Sequence, residues 1–280
     1  MKGPTPTVAF VLGGGGQLGA AEVGMLRALV EREVRPELVV GSSVGALHGA
    51  MIAAEPTLAS VEKLEDAWRE LIELRVLGSS WLTGAAGLMR TRTHMHSNAG
   101  LRDLAARLLP VDTFEQLAVP FQCVAASIEQ SSEHWFASGP LVDAILASAA
   151  VPGMLPPVEI DGEHFIDGGV VNSIPIDRAV ELGAGEIYVL HPGRIDQPLE
   201  VPKRLRDVGL VAFEISRRHR FVRELARVPA GVIVHVLPAG DPEQPRFDDL
   251  SQYRYRGFER IDRRIAHAYD ATSGYLAEQT

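Results

Sequence analysis

Short unbroken apolar runs alternate along this chain with longer stretches in which apolar positions recur every three or four residues. The runs TVAFVL (7–12), PELVV (36–40), VPFQCVAASI (119–128), EIYVL (186–190) and GVIVHVL (231–237) have the length of single strands and predict buried ones. Helical spacing predicts helices over Leu18 to about Glu33, VGALHGAMIAA (44–54), Leu58 to Leu74, LVDAILASAA (141–150), IPIDRAVELGA (174–184) and about Ser251 to Glu278. PVEIDGEHFIDGG (157–169) reads as a strand pair around a tight Asp161-Gly162 turn. The stretch from Val76 to Gly100 has no clean period and reads either as a packed connection or as a lid over an entrance. This alternation predicts an α/β fold: a mainly parallel central sheet with helices on both faces, three layers in all. One domain over 1–280 is expected, with its core motifs in about 8–191 and residues 195–280 closing the same unit.

Composition narrows the function classes. No apolar stretch approaches the roughly 20 residues that span a bilayer, and the start lacks the apolar core of a signal peptide, so a cytoplasmic protein is expected. With 27 Lys and Arg against 36 Asp and Glu, the net charge of −9 argues against nucleic acid as a partner. RRHRFVRELAR (217–227) is the local exception, read either as a solvated helix face or as a patch for transient contact with anionic lipid at a membrane surface. The lone Cys123 excludes an internal disulfide and reads as a buried structural thiol. No calcium-loop or His-Glu-x-x-His pattern occurs, so no metal is expected.

Four consecutive glycines in VLGGGGQLGAAEVGML (11–26) join the first strand to the first helix, a loop that brings bare backbone close to a ligand or a charge. Gly14, Gly16 and Gly19 match the dinucleotide fingerprint in letters. That fingerprint also needs a carboxylate at the tip of the second strand, which instead ends in Gly41-Ser42-Ser43. A phosphate-binding P-loop fails as well, because Gly16-Gln17-Leu18 replaces its Gly-Lys-Ser/Thr. GSSVG (41–45) places Ser43 in register for a Gly-x-Ser-x-Gly elbow between strand and helix, where a serine hydroxyl is exposed on a sharp turn. Loops after neighbouring parallel strands gather at one sheet edge, so the glycine loop and Ser43 can meet. Backbone N–H groups of such a loop are suited to an oxyanion, each donor lowering a barrier by on the order of 3 kcal/mol.

A serine needs a base. Among the histidines, His48 lies on the helix after Ser43 and faces away, His94 and His96 fall in the irregular stretch, and His235 is within a strand; each reads as structural. Asp167 ends an apolar strand, and Gly168 and Gly169 clear space around it; taken alone, the Asp-Gly pair also fits a plain turn.

Taken together, VLGGGGQLGAAEVGMLRAL, GSSVGALHGAMIAA and ASAAVPGMLPPVEIDGEHFIDGGVVNSIPIDRAVELGA resemble the patatin-like phospholipase family, bacterial branch, over about Val8 to His191. The resemblance implies an acyl hydrolase acting on lipid esters through a serine–aspartate dyad without histidine, metal or cofactor. It implies Ser43 as nucleophile, Asp167 as base and Gly14, Gly15 and Gly16 as oxyanion hole, with Gly19, Gly41, Gly45, Gly168 and Gly169 shaping the three motifs. One departure is Leu18, where the family usually carries Arg or Lys, so a positive charge near the site is lost. The rival readings are a transacylase on the same site, a catalytically weak lipid-binding regulatory protein, and a dinucleotide-dependent oxidoreductase. An aspartate base at its ordinary pKa of about 3.9 predicts activity well below pH about 6.5, where a histidine triad would fail.

Overall fold

The computed structural model describes residues 7–73, 91, 93–193, 198–240 and 258–279. The irregular stretch read either as a packed connection or as a lid lies largely outside these residues, as does the start of the last predicted helix. The strands are β1 (Val8–Leu12), β2 (Leu38–Ser42), β3 (Phe121–Ser127), β4 (Ser132–Phe136), β5 (Val158–Ile160), β6 (Glu163–Asp167), β7 (Glu186–Leu190) and β8 (Ile233–Val236). They form one mixed sheet in the order β5-β6-β3-β2-β1-β7-β8, with β4 also paired to β3. The centre is parallel: β3, β2, β1, β7 and β8 run in one direction, whereas β4, β5 and β6 add antiparallel pairs at one side. The apolar pattern missed β4, because its SEHWF sequence is mostly polar and only partly buried.

The helices are α1 (Ala20–Glu31), α2 (Val44–Ala54), α3 (Leu58–Glu73), α4 (Ala99–Leu108), α5 (Leu141–Ser148), α6 (Ile176–Glu181), α7 (Leu205–Leu225) and α8 (Phe258–Glu278). The helix expected from Leu18 starts later, after a 3-10 turn over Gly16–Gly19, because Gly16 has φ +54°.

Strand side chains alternate between two cores, which makes the fold three-layered. Phe10, Leu12, Val39, Phe121, Cys123, Tyr188 and Leu190 pack on one face with α1, α2, α3, α5 and α8. Ala9, Val11, Leu38, Val40, Ile187 and Val189 pack on the other with Ile176 and Ala179 of α6 and Phe221 of α7. Both faces are covered, which is why the central strands read as continuous apolar runs. At Gly24 of α1, an added Cβ would lie 2.1 Å from the Ile265 carbonyl oxygen of α8, so the last helix crosses the first backbone to backbone. Asp161 and Gly162 both have positive φ, the requirement of the two-residue hairpin turn expected between β5 and β6.

Candidate active site

The register of β3 brings the two motif residues together. β2 pairs with β3 from Val39↔Phe121 to Ser42↔Val124 in parallel, and β6 then pairs with the continuation of β3 from Ala125↔Asp167 to Ser127↔Phe165 in antiparallel. β4 occupies the opposite edge of β3 over Cys123 to Ser127. β2 and β6 therefore share one edge of β3 and meet end to end, with Ser43 leaving β2 where Asp167 ends β6.

At that junction Ser43 has φ 55° and ψ −123°, a strained conformation for a residue with a side chain and the geometry of an elbow. Its tightness is set by backbone contact: a Cβ at Gly41 would lie 2.5 Å from the Gly45 carbonyl oxygen, and one at Gly45 2.4 Å from that of Leu12. Gly19 is held against Val44, and Gly168 against the Val124 carbonyl oxygen. The Ser43 hydroxyl donates to Asp167 Oδ2 at 2.6 Å, and Gly169 N–H donates to Asp167 Oδ1 at 2.7 Å. Burial pushes the Asp167 pKa up to about 6, against the opposing pull of the Ser43 and Gly169 hydrogen bonds. That value lies above the ordinary one of about 3.9 on which the expectation of activity well below pH 6.5 rests.

The glycine loop lies against the elbow. A Cβ on Gly14 would come within 3.2 Å of Ser43 Cβ. Gly13 N–H donates to the Leu190 carbonyl at 2.9 Å and Gly14 N–H to the Ser173 carbonyl at 2.8 Å. Of the three glycines expected to form an oxyanion hole, Gly14 thus has its amide engaged. Among the described residues the Gly15 and Gly16 amides make no hydrogen bond.

Two residues about the elbow went unassigned in the sequence. Ser148, at the end of α5, is fully buried and accepts the Ser43 N–H at 2.9 Å. Arg264 of α8 is buried and its Nη1 lies 3.4 Å from the Gln17 carbonyl oxygen in the turn that carries Leu18. A guanidinium therefore reaches the loop from the far end of the chain although position 18 is apolar. Neither residue had a detectable signal, since nothing local in the sequence links positions 105 and 247 residues apart.

The histidines stay out of the pairing. His48 Nδ1 is 2.8 Å from Glu22 Oε2 and its Nε2 accepts Trp68 Nε1–H at 3.1 Å, with burial lowering its pKa to about 3. His94 contacts Thr93, His96 is partly buried, and His235 lies between Tyr275 and Glu186. His191, not considered from sequence, follows β7 beside Gly13; burial, reinforced by Arg217 and Arg218, holds its pKa well below the usual range. Burial likewise raises the Cys123 thiol, in keeping with a structural role. Among the described residues no group of three or more His, Cys, Asp or Glu side chains could hold a metal ion, and no helix is long and apolar enough to cross a membrane.

A buried serine–aspartate pair on an elbow facing a glycine loop, carried by a three-layer α/β sheet, defines a class of site rather than a single protein. The patatin-like phospholipase family model matches residues 10–180, and the chain belongs to that family. Patatin-like phospholipase domain-containing protein 7 from Mus musculus is 30% identical over 199 residues, which cover 68% of this chain and 14% of that protein. An uncharacterized NTE family protein from Mycobacterium tuberculosis is 36% identical over 172 residues, 61% of this chain and 45% of that one. The crystal structure of VipD from Legionella pneumophila aligns with a TM-score of 0.49 at 15% identity, covering 98% of this chain and 67% of that one. The chain spans about 14% of the length of the first curated relatives that it matches.

Proposed function

We propose that this chain, acting as one domain, is a serine acyl hydrolase that cleaves fatty-acyl esters of lipids through a covalent acyl-Ser43. The observation that carries the reading is the 2.6 Å hydrogen bond from the Ser43 hydroxyl to Asp167 Oδ2 at a strained elbow. As Ser43 Oγ attacks the ester carbonyl carbon, its proton passes to Asp167 Oδ2, and the carbonyl oxygen takes up negative charge. The Gly15 and Gly16 amides receive that charge, aided by the N-terminus of α2, where Ser43 sits. Collapse of the tetrahedral species breaks the bond to the alcohol, which leaves with the proton from Asp167. Water then gives a proton to Asp167 and attacks the acyl-serine; the acid departs and the proton returns to Ser43 Oγ.

Burial supports this assignment on physical grounds. A carboxyl with a pKa near 6 is a stronger base than an exposed aspartate and is still mostly ionised at pH 7. The test is labelling with a fluorophosphonate probe and mapping of the adduct by mass spectrometry. The adduct is expected on Ser43 and absent from Ser43→Ala; labelling elsewhere, or none on folded protein, would end the assignment.

A further inference from the structure

Helix α7 is inverted relative to an ordinary surface helix, which hides apolar residues and shows polar ones. Its inward side is largely ionic. Glu214 bonds Arg217 at 2.6 Å and Arg218 at 2.7 Å, Glu224 pairs with Arg220, and these carboxylates are about nine-tenths buried. Phe221 is the buried apolar residue beside them. At 100° per residue, Val208, Ala212, Ile215, His219 and Val222 fall together on the opposite side. All five are exposed, Val208, Ile215 and Val222 by 49%, 54% and 57%.

Among the described side chains of α7, the charges beside that ridge have one sign. Arg223 flanks it and Arg227 follows the helix, both exposed, and the described carboxylates of α7 are turned inward. This face is therefore apolar and cationic on a chain of net charge −9. The helix also adjoins the site, from another side than the ridge: a Cβ on Gly169, two residues from Asp167, would lie 3.6 Å from Phe213 Cζ of α7. Val170 beside it is exposed as well.

We propose that the outward face of α7 beds into an anionic lipid surface, with Ile215 and Val222 at the acyl boundary and Arg223 and Arg227 among the head groups. The acyl-hydrolase reading supplies the purpose of this contact, holding the Asp167–Gly169 edge of the site at the lipid, while the binding rests on the face itself. A second copy is a poorer occupant. A two-fold interface would set the same cationic face against itself, whereas anionic head groups complement it.

The experiment is cosedimentation of the full chain with phosphatidylcholine vesicles, with and without phosphatidylglycerol, alongside hydrolysis of a water-soluble short-chain ester. The parent should bind the phosphatidylglycerol vesicles and release as salt rises. Ile215→Glu/Val222→Glu should weaken that binding by about tenfold or more while soluble-ester hydrolysis stays within about twofold. Arg223→Glu/Arg227→Glu should remove the preference for anionic vesicles, and it keeps the test open if the first variant fails to fold. Parent protein that binds neither vesicle, or variants that bind as the parent does, would overturn the proposal. So would a parent dimer, seen by sedimentation equilibrium, that Ile215→Glu/Val222→Glu dissociates without any vesicle binding. Vesicle binding by a parent that hydrolyses no ester would sustain the docking face and sink the catalytic reading.

Discussion

Helix α2 carries two buried pairs within its first turns, and only one of them has the means for chemistry. At its start Ser43 donates to Asp167; five residues on, His48 meets Glu22. Both carboxyls are buried, and burial raises the pKa of each. The partners make the difference. Trp68 can only donate, so His48 Nε2 accepts and Nδ1 carries the proton toward Glu22, leaving the ring no free nitrogen. Ser43 instead sits on a strained turn against Gly14 of a loop whose Gly15 and Gly16 amides make no hydrogen bond among the described residues; in the proposed reaction its oxygen is the nucleophile and those amides take the resulting charge. Burying a carboxyl makes a base; a reactive site also needs an acid worth deprotonating and somewhere to put the charge.

The sharpest way to separate the two pairs is Asp167→Asn, which should lower kcat for an ester by about a thousandfold or more. The same variant should be more stable. Asp167 has a native pKa near 6, above its unfolded value, so the native state binds its proton more tightly. Its contribution to stability is fully present below the unfolded pKa and is lost as pH rises through about 6. A neutral side chain removes that burden, and chemical denaturation at pH 7 should show a gain on the order of 1–3 kcal/mol. In the parent, kcat/KM should fall below pH about 6 as Asp167 takes up its proton.

His48→Ala should give the reverse pattern. Loss of the partner to a fully buried carboxyl should cost about 3 kcal/mol of stability, visible as a lower Tm, while ester kcat stays within about tenfold. A collapse of activity in folded His48→Ala, with Asp167→Asn still active, would reverse the assignment of the two pairs. The smallest effect belongs to Ser148→Ala. It strands the buried Ser43 N–H and loosens the elbow, so kcat should drop about tenfold with KM little changed. An unchanged kcat would reduce Ser148 to packing.

Features written in contiguous residues were legible beforehand. The apolar runs of β1, β2, β3 and β7 gave the sheet, because strands covered on both faces show no polar side. The Ser43 elbow was legible for a similar reason: a turn this tight needs Gly41 and Gly45 within two residues of it. β4 escaped notice because its pairing with β3 does not depend on an apolar pattern.

The sequence by itself determined the local chemistry: which serine stands on a strained turn, which loop is bare enough to approach it, and which aspartate ends a strand beside glycines. Only the tertiary structure decided that β2 and β6 meet on one edge of β3, which sets Asp167 against Ser43 across 124 residues. It also decided that Gly14 gives its amide to Ser173, that Ser148 holds the elbow, and that Arg264 reaches the Gln17 carbonyl. The physical reason is that turn geometry and strand periodicity are fixed by neighbours along the chain. A hydrogen bond between distant residues, and the pKa shift that burial adds to Asp167, exist only once sheet register and helix packing have set which groups share a low-dielectric space.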